Sequence, residues 1–299
     1  MTKRLPFLDY ARGLVIAFVA LQHATQTYAL AWGGQKYFVI ENEANRSSLF
    51  DGFFMWTDSF IMQALFFIAG MFVIPSFTRH GMWGFWKQKT IRLIIPWVFG
   101  VFVLAPMLSF VKYKQRTDPF ADYIDYWFHE HFLRYLPQAG YWFLSYLVFF
   151  MAVALLVYKI VPRVFEILGQ WISWWFTHPI IGILGISLLC VILITISDIL
   201  YGTYYWSEFL KIFVARSNMV WTYILFFCLG LGVRASGLLD DPAKLDAFGK
   251  SWKIWAAILV VLSVAYVWYC VSYIKEGAIT DDILIAFYQS SSYADVWPV

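Results

Sequence analysis

Charged side chains are scarce in this chain, where Asp, Glu, Lys and Arg make up only 14% of the residues. A water-soluble globular protein has about 25% charged and about 45–50% apolar residues. Here the apolar share is 61% and the mean hydropathy is +0.65. This composition excludes an ordinary soluble domain. Apolar stretches near twenty residues recur along the chain, the length needed to cross ~30 Å of hydrocarbon.

Cysteine and net positive charge are also in short supply. The three cysteines, Cys190, Cys228 and Cys270, each lie alone inside an apolar stretch. They match no disulfide framework and no metal-ligand spacing, so we expect buried free thiols. The net charge of +3 is too small to predict a nucleic-acid partner.

Apolar segments of helix length and aromatic rings are abundant instead. The 16 Trp and 19 Tyr residues suit a protein with many boundaries between water and lipid. The chain is predicted to be one transmembrane domain over residues 1–299, an all-α polytopic helix bundle with about seven spans. We place these spans at residues 7–30, 52–77, 91–112, 140–161, 179–200, 218–235 and 253–273.

The distribution of Lys and Arg predicts the orientation of these spans. If the N-terminal segment MTKR is cytoplasmic, the cytoplasmic segments hold more Lys and Arg, in shorter loops, than the opposite side. That bias is the one expected for a cytoplasmic N-terminus. A rival interpretation takes MTKR, LVIAFVAL and Ala29-Leu30-Ala31 as a cleavable signal peptide, although Asp9 and Arg12 interrupt the apolar region that a signal requires.

Four other segments give weaker predictions. GQWISWWFTH (169–178) is aromatic and amphiphilic, which predicts a place in the membrane interface. ILIAFYQSSSYADVWPV, at the end, is too short and too polar for another crossing. Asp58 and Asp198 lie near span ends and are interpreted as boundary residues. The two histidines of His129-Glu130-His131 are possible metal ligands. Because no third ligand is evident in the sequence, a solvated loop is predicted there.

Ionisable side chains inside a span are costly and are therefore functional candidates. The first span holds two, Arg12 and His23. Eleven residues at ~100° each end only ~20° past three full turns, so the two share one helix face, ~16 Å apart along the axis. With the N-terminus inside, Arg12 lies near the cytoplasmic end and His23 beyond mid-span. The structural alternative is a snorkelling arginine and a packed histidine.

A basic cluster follows the second span. It contains Arg79, His80, Lys87, Lys89 and Arg92. Lys89 and Arg92 are three residues apart, hence neighbours on a helical surface. Such a pair is suited to hold phosphate groups that arrive from the cytoplasm. The alternative is an ordinary positive-inside loop.

Taken together, these segments resemble the acyltransferase-3 family of membrane acyltransferases. LDYARGLVIAFVALQHA is similar to the family's opening helix, in which a basic residue, ten residues and a histidine follow one another. LFFIAGMF resembles its Phe-rich second helix, and FWKQKTIRLIIPW its paired basic motif, with Lys89 where Arg is usual. YWFLSYLVFF and FFCLGLGVR resemble its weaker later motifs. The short links resemble the glucan biosynthesis protein C branch, and the resemblance covers roughly residues 5–235.

The resemblance implies an O-acetyltransferase-like enzyme of the cell (inner) membrane that modifies a polysaccharide. Its partners would be the lipid bilayer, a cytoplasmic acyl-CoA (commonly acetyl-CoA) as co-substrate and the hydroxyl of an extracytoplasmic glycan, with no bound cofactor and no metal. His23 would be the general base and Arg12 its catalytic companion, with Lys89 and Arg92 binding the donor. The family usually has about ten spans, so a C-terminally shortened chain is expected.

Two other function classes remain open from the sequence. A transporter or flippase of a lipid-linked sugar also needs intramembrane charge, but it would show helices interrupted by Gly or Pro in paired halves. No such symmetry is visible. A non-catalytic membrane sensor needs no general base and would tolerate the loss of His23.

The orientation is tested by labelling thiols in intact cells. Gln115→Cys should react with a membrane-impermeant reagent, and Gln88→Cys should not, because the first is predicted outside and the second in the cytoplasm. The opposite pattern of labelling would reverse the orientation of every span.

Overall fold

The computed structural model describes residues 6–29, 46–116, 118–136, 138–201, 206–209, 212–249 and 252–275. It confirms the predicted α-helical class. The helices are α1 (Pro6–Gln26), α2 (Ser48–Asp58), α3 (Ile61–Lys89), α4 (Ile95–Phe99), α5 (Ala105–Arg116), α6 (Tyr123–Asp125), α7 (Trp142–Ile160), α8 (Arg163–Thr177), α9 (Pro179–Tyr201), α10 (Ser217–Ala235), α11 (Pro242–Gly249) and α12 (Trp252–Lys275). The π-helical segments are Thr90–Ile94, Gly100–Leu104 and Tyr126–Tyr135, and the 3₁₀ turns are Ala139–Tyr141 and Leu238–Asp240.

A short antiparallel hairpin interrupts the helices and was not expected from the sequence. Strand β1 (Trp206–Phe209) pairs with β2 (Phe213–Arg216), with Trp206 opposite Arg216 and Phe209 opposite Phe213. It connects α9 to α10, in the segment between the predicted spans 179–200 and 218–235.

Helices with the length and composition of membrane spans make this chain a membrane protein. Within the described residues, four helical runs are long and apolar enough to cross: Ser48–Val111, Tyr123–Ile160, Pro179–Tyr201 and Ser217–Ala235; Ala256–Ser272 is a shorter apolar helix. Helix α1 is not among the four, because its polar ends lower its hydropathy. The number of seven spans and the cytoplasmic N-terminus stay predictions. MTKR and ILIAFYQSSSYADVWPV lie outside the described residues.

The predicted second span, 52–77, lies inside the helical run Ser48–Val111, and that run contains two interruptions. The turn Ser59–Phe60 separates α2 from α3 directly after Asp58. Helix α3 then runs on past the predicted end and is itself interrupted at Gly81, whose φ of 66° lies in the left-handed region. Glycine adopts that conformation without the steric penalty of a Cβ atom. The basic cluster therefore begins at a break in the helix.

The chain forms two compact units. The first comprises Met1–Met71, Phe165–Gly182 and Phe226–Leu284, and the second Phe72–Val164, Ile183–Leu225 and Ile285–Val299. In the first unit, apolar side chains of α1, α3, α8 and α10 share one core. Its buried members are Leu8, Val15, Ile61, Ile68, Met71, Ile172, Val233 and Leu239.

Glycines bring α3 and α10 of the first unit into backbone contact. A Cβ atom on Gly70 would overlap the carbonyl oxygen of Phe227 and lie 3.1 Å from the nitrogen of Leu231. A Cβ atom on Gly230 would overlap the carbonyl oxygen of Phe67. Small residues permit such close crossings between helices in membranes, where dispersion contacts and not the hydrophobic effect hold helices together.

Helix α8 is amphipathic, as the sequence GQWISWWFTH predicts. Phe165, Gly169 and Ile172 are buried on one face, while Trp171 and Trp174 are exposed on another. Exposed tryptophan at a helix surface suits the boundary between water and lipid. Its place in that boundary stays a prediction.

In the second unit, three π turns each end two residues before a proline. Ile95 donates to the carbonyl of Thr90, Ala105 to that of Gly100 and Leu136 to that of His131. The next residues in the sequence are Pro96, Pro106 and Pro137. A proline ring clashes with the carbonyl four residues earlier and has no N–H to donate. A wider turn with i→i+5 bonds accommodates that defect.

Side chains replace the hydrogen bonds that Pro106 cannot make. His131 Nε2 donates to the carbonyl of Val101 at 2.9 Å, and Trp127 Nε1 donates to that of Phe102 at 2.9 Å. His131 is fully buried, so the predicted solvated loop at residues 129–131 is wrong. The segment is helical, and a π turn changes the angle between successive side chains. The usual 3.6-residue period therefore does not show which of the two histidines is buried. His129 is exposed and pairs with Asp125.

Within the second unit, a buried glutamine links the hairpin to the helical segments. Gln138 accepts a bond from Trp97 Nε1 at 3.2 Å and donates to the carbonyl of Ile212 at 2.6 Å. Asp198, interpreted above as a boundary residue, accepts a bond from Asn218 Nδ2 at 2.9 Å and so links α9 to α10.

The cysteines are free thiols, as predicted. Cys270 is buried, and Cys190 and Cys228 are half-buried. None of the three pairs in a disulfide, so no covalent cross-link through cysteine stabilises the part of the chain that the structure describes.

The glycine crossing predicts a specific loss of stability. Gly230→Ala should lower the melting temperature of the purified protein, because its methyl group meets the backbone of α3 and overpacking costs about 1–3 kcal/mol. Gly185→Ala is the control, since no atom lies within 4 Å of the added Cβ atom. Equal melting temperatures for the two variants would contradict the crossing.

Candidate functional site

Helix α1 carries the predicted pair Arg12 and His23 and runs without a break from Pro6 to Gln26. The one-face alignment and the ~16 Å separation predicted for the two residues therefore hold. The buried residues of α1 are Leu8, Val15, Gln22 and Gln26. On a wheel of ~100° per residue, Arg12 and His23 lie roughly 55–75° from the centre of this buried stripe, along the same border.

The hydrogen bond of His23 determines which ring nitrogen can act as a base. Its Nδ1 lies 2.8 Å from the carbonyl oxygen of Val19, one turn earlier. A carbonyl oxygen only accepts, so Nδ1 carries the hydrogen and Nε2 of the neutral ring keeps the lone pair. Among the described residues His23 makes no other hydrogen bond. The exposed side chain therefore presents a basic nitrogen, as a general base requires.

Arg12 is exposed on the same border of α1. Within the described part of the chain it forms no ion pair, since its guanidinium contacts no carboxylate there. An arginine placed in this way can hold an anionic ligand with paired N–H donors.

Polar side chains surround His23 on the last turn of α1. Gln22 and Gln26 are 4% and 5% exposed, unusually low values for amides. Gln22 Nε2 donates to Asp58 Oδ1 over 3.5 Å. The interpretation of Asp58 as a simple boundary residue missed this contact. The available signal was an acidic residue inside the apolar stretch 52–77.

The second predicted pair, Lys89 and Arg92, lies at the junction of α3 with a π turn. The ammonium group of Lys89 is 5.1 Å from the centre of the Phe85 ring, and Arg92 is exposed. The π turn begins at Thr90, between the two residues. Their spacing therefore differs from the regular α-helical row that the sequence predicts, because i→i+5 bonding widens the turn.

The two pairs belong to different units. Arg12 and His23 lie in the first unit, and Lys89 and Arg92 lie in the second. Within the described residues, no three His, Cys, Asp or Glu side chains lie close enough to hold a metal ion.

A comparison of the sequence with protein families shows which family the chain belongs to. The sequence model of the acyltransferase-3 family, described as an acyltransferase domain, matches residues 5–297. This chain belongs to that family. It is a membrane acyltransferase, as its motifs indicated. No curated protein and no solved structure matches it. The glucan biosynthesis protein C branch stays a prediction.

The fold gives two of the acyltransferase's weak motifs a physical role. LFFIAGMF contains Phe67 and Gly70, and FFCLGLGVR contains Phe227 and Gly230. These residues make the crossing of α3 and α10 described above. Both motifs therefore encode a close helix contact in this acyltransferase, and their glycines are explained by packing.

Proposed function

We propose that this acyltransferase transfers an acyl group, namely acetyl, from cytoplasmic acyl-CoA to a hydroxyl of an extracytoplasmic glycan. His23 is the general base. The observation that carries the proposal is the bond from His23 Nδ1 to Val19, which leaves Nε2 as the exposed acceptor on a helix with the family's basic-residue and histidine spacing.

In the proposed step, His23 of α1 both removes and returns the proton. Nε2 of His23 takes the proton of the acceptor hydroxyl as its oxygen attacks the thioester carbonyl. An ester C–O bond forms, the C–S bond breaks, and the departing thiolate receives the proton from His23. Proton transfer of this kind contributes ~10²–10⁴ in rate. An acyl-histidine intermediate is the covalent alternative.

The position of Arg12 limits what it can do in this step. At ~16 Å along α1 from His23, it is too far to contact the same thioester carbonyl. The guanidinium group is better suited to the phosphates at the other end of a long acyl-CoA molecule. We propose Lys89 and Arg92 as donor-binding residues, since both are cations in the predicted cytoplasmic cluster.

His23 is tested by a substitution that keeps its size and hydrogen bonding. His23→Gln should reduce glycan acylation by at least ~10² at matched expression, because glutamine cannot accept a proton at neutral pH. The assay follows acetyl transfer in membranes that contain the full-length protein.

His80 provides a matched control for this experiment. It is an exposed histidine whose Nδ1 lies 2.9 Å from the carbonyl of Ser76, one turn earlier. His80→Gln should leave acylation near normal. Near-normal transfer by His23→Gln would remove the general base and favour a transporter or a sensor.

The donor site is tested at Arg92. Arg92→Ala should weaken acyl-CoA binding by about 2–4 kcal/mol, and Arg92→Lys by less, because lysine keeps the charge but not the bidentate geometry. Binding of a radiolabelled acyl-CoA measures the difference. Arg163→Ala is the control, since Arg163 is another exposed arginine of the same unit. Unchanged affinity in Arg92→Ala would assign the cluster to membrane topology.

A further inference from the structure

The last turn of α1 presents a connected set of polar side chains beside the proposed base. Gln26 follows His23 by three residues and Gln22 by four, and these spacings make helix neighbours. Asp58 reaches the same turn from α2 through Gln22. All four residues lie in the first unit. They form a patch of two amides, one carboxylate and the free nitrogen of His23.

Gln26 is the unusual member of this patch. Its side chain is 5% exposed, and its Oε1 has no hydrogen-bond partner among the described residues. Buried polar atoms are normally bonded, and an orphan acceptor is costly to keep. An amide oxygen held in this way can accept a donor from a bound ligand, and a hydroxyl group is such a donor.

Asp58 lies where the second apolar stretch breaks. Helix α2 ends at Asp58, and the turn Ser59–Phe60 follows. Irregular backbone at membrane depth is tolerated where it lines a cavity or is buried in protein. The carboxylate offers several lone-pair positions, and the 3.5 Å bond from Gln22 is at the outer limit for such a contact.

Aromatic rings border the patch. Phe18, one turn before Gln22, packs edge-on against Trp56 with ring centres 5.7 Å apart, and Trp56 packs against Phe60 at 5.1 Å. Binding sites for small ligands combine apolar and aromatic walls with a few well-placed polar groups. The last turn of α1 has both.

We propose that Gln22, Gln26 and Asp58 form the subsite that binds hydroxyl groups of the acceptor and positions the reacting one at His23 Nε2. The ligand class is a polyhydroxylated molecule such as a sugar unit. The amide of Gln26 accepts one hydroxyl, and Asp58 with Gln22 holds a second. This inference rests on the proposed function, in which His23 is the base.

The competing explanation for these polar side chains is structural, since glutamine often forms hydrogen bonds that link helices in membranes. It accounts for the bond between Gln22 and Asp58. It does not account for the orphan oxygen of Gln26, which links nothing among the described residues. The two explanations predict different behaviour for an isosteric apolar substitution at Gln26.

The test measures binding and stability together, with cellobiose as the probe and the full chain in nanodiscs. Gln26→Met should weaken cellobiose binding about 5- to 10-fold, the worth of one hydrogen bond, while the melting temperature stays equal or rises. Asp58→Asn should weaken binding by at least as much. Unchanged affinity in Gln26→Met, a lower melting temperature, or wild-type protein that does not bind cellobiose would each overturn the subsite.

Two comparisons separate this inference from the proposed reaction. His23→Gln should abolish transfer and still bind cellobiose in the absence of donor, with a loss of affinity no larger than that of one hydrogen bond, so binding tests the subsite and transfer tests the base. Gln170→Met, at an exposed glutamine of α8, should change neither quantity. In transfer assays, Gln26→Met should raise the KM for cellobiose and leave that for acyl-CoA unchanged. A higher KM for acyl-CoA would contradict the assignment to the acceptor.

Discussion

Backbone hydrogen bonding is the constraint on which the second unit depends. In a membrane, each N–H and C=O must find a partner inside the protein, and prolines remove donors. In this protein, π turns precede Pro96 and Pro106. The side chains of His131 and Trp127 donate hydrogen bonds to the carbonyl groups that lack a backbone donor because of Pro106. His131, which the sequence offers as a candidate metal ligand, therefore has a structural role. Its Nε2 hydrogen is donated to the carbonyl oxygen of Val101.

The sequence was sufficient for the membrane class, the helical class and the alignment of Arg12 with His23, because those follow from composition and from one uninterrupted helix. It was insufficient for the turn at Ser59–Phe60 and for the burial of His131. Periodicity assumes a uniform 3.6-residue turn, and both features arise where that turn changes. The bond between Gln22 and Asp58 is tertiary, and a single sequence contains no pairing information of that kind.

The same reasoning explains the weak aromatic motifs. Taken singly, LFFIAGMF and FFCLGLGVR are ordinary apolar helix segments with a glycine. Their glycines are explained by the close contact of Gly70 with the Phe227 carbonyl and of Gly230 with the Phe67 carbonyl. Helices in lipid gain little from burying apolar surface against each other, so close backbone approach has to supply the contact energy. A glycine retained at such a crossing is explained without any catalytic role.

Charge is expensive in lipid, and α1 distributes its polar groups accordingly. The permanent cation, Arg12, lies near the predicted cytoplasmic end, where phosphate and water can offset its charge. At the far end the proposed chemistry relies on a histidine that can work while neutral and on two amides, which carry no charge to desolvate. Asp58 is the exception, and its half-buried carboxylate accepts a hydrogen bond from Gln22. In the proposed subsite, a hydroxyl group of the acceptor would donate to the same carboxylate. The polar groups at this end of α1 are therefore suited to the neutral hydroxyl groups of an acceptor, whereas the cation at the other end is suited to the anionic phosphates of a donor.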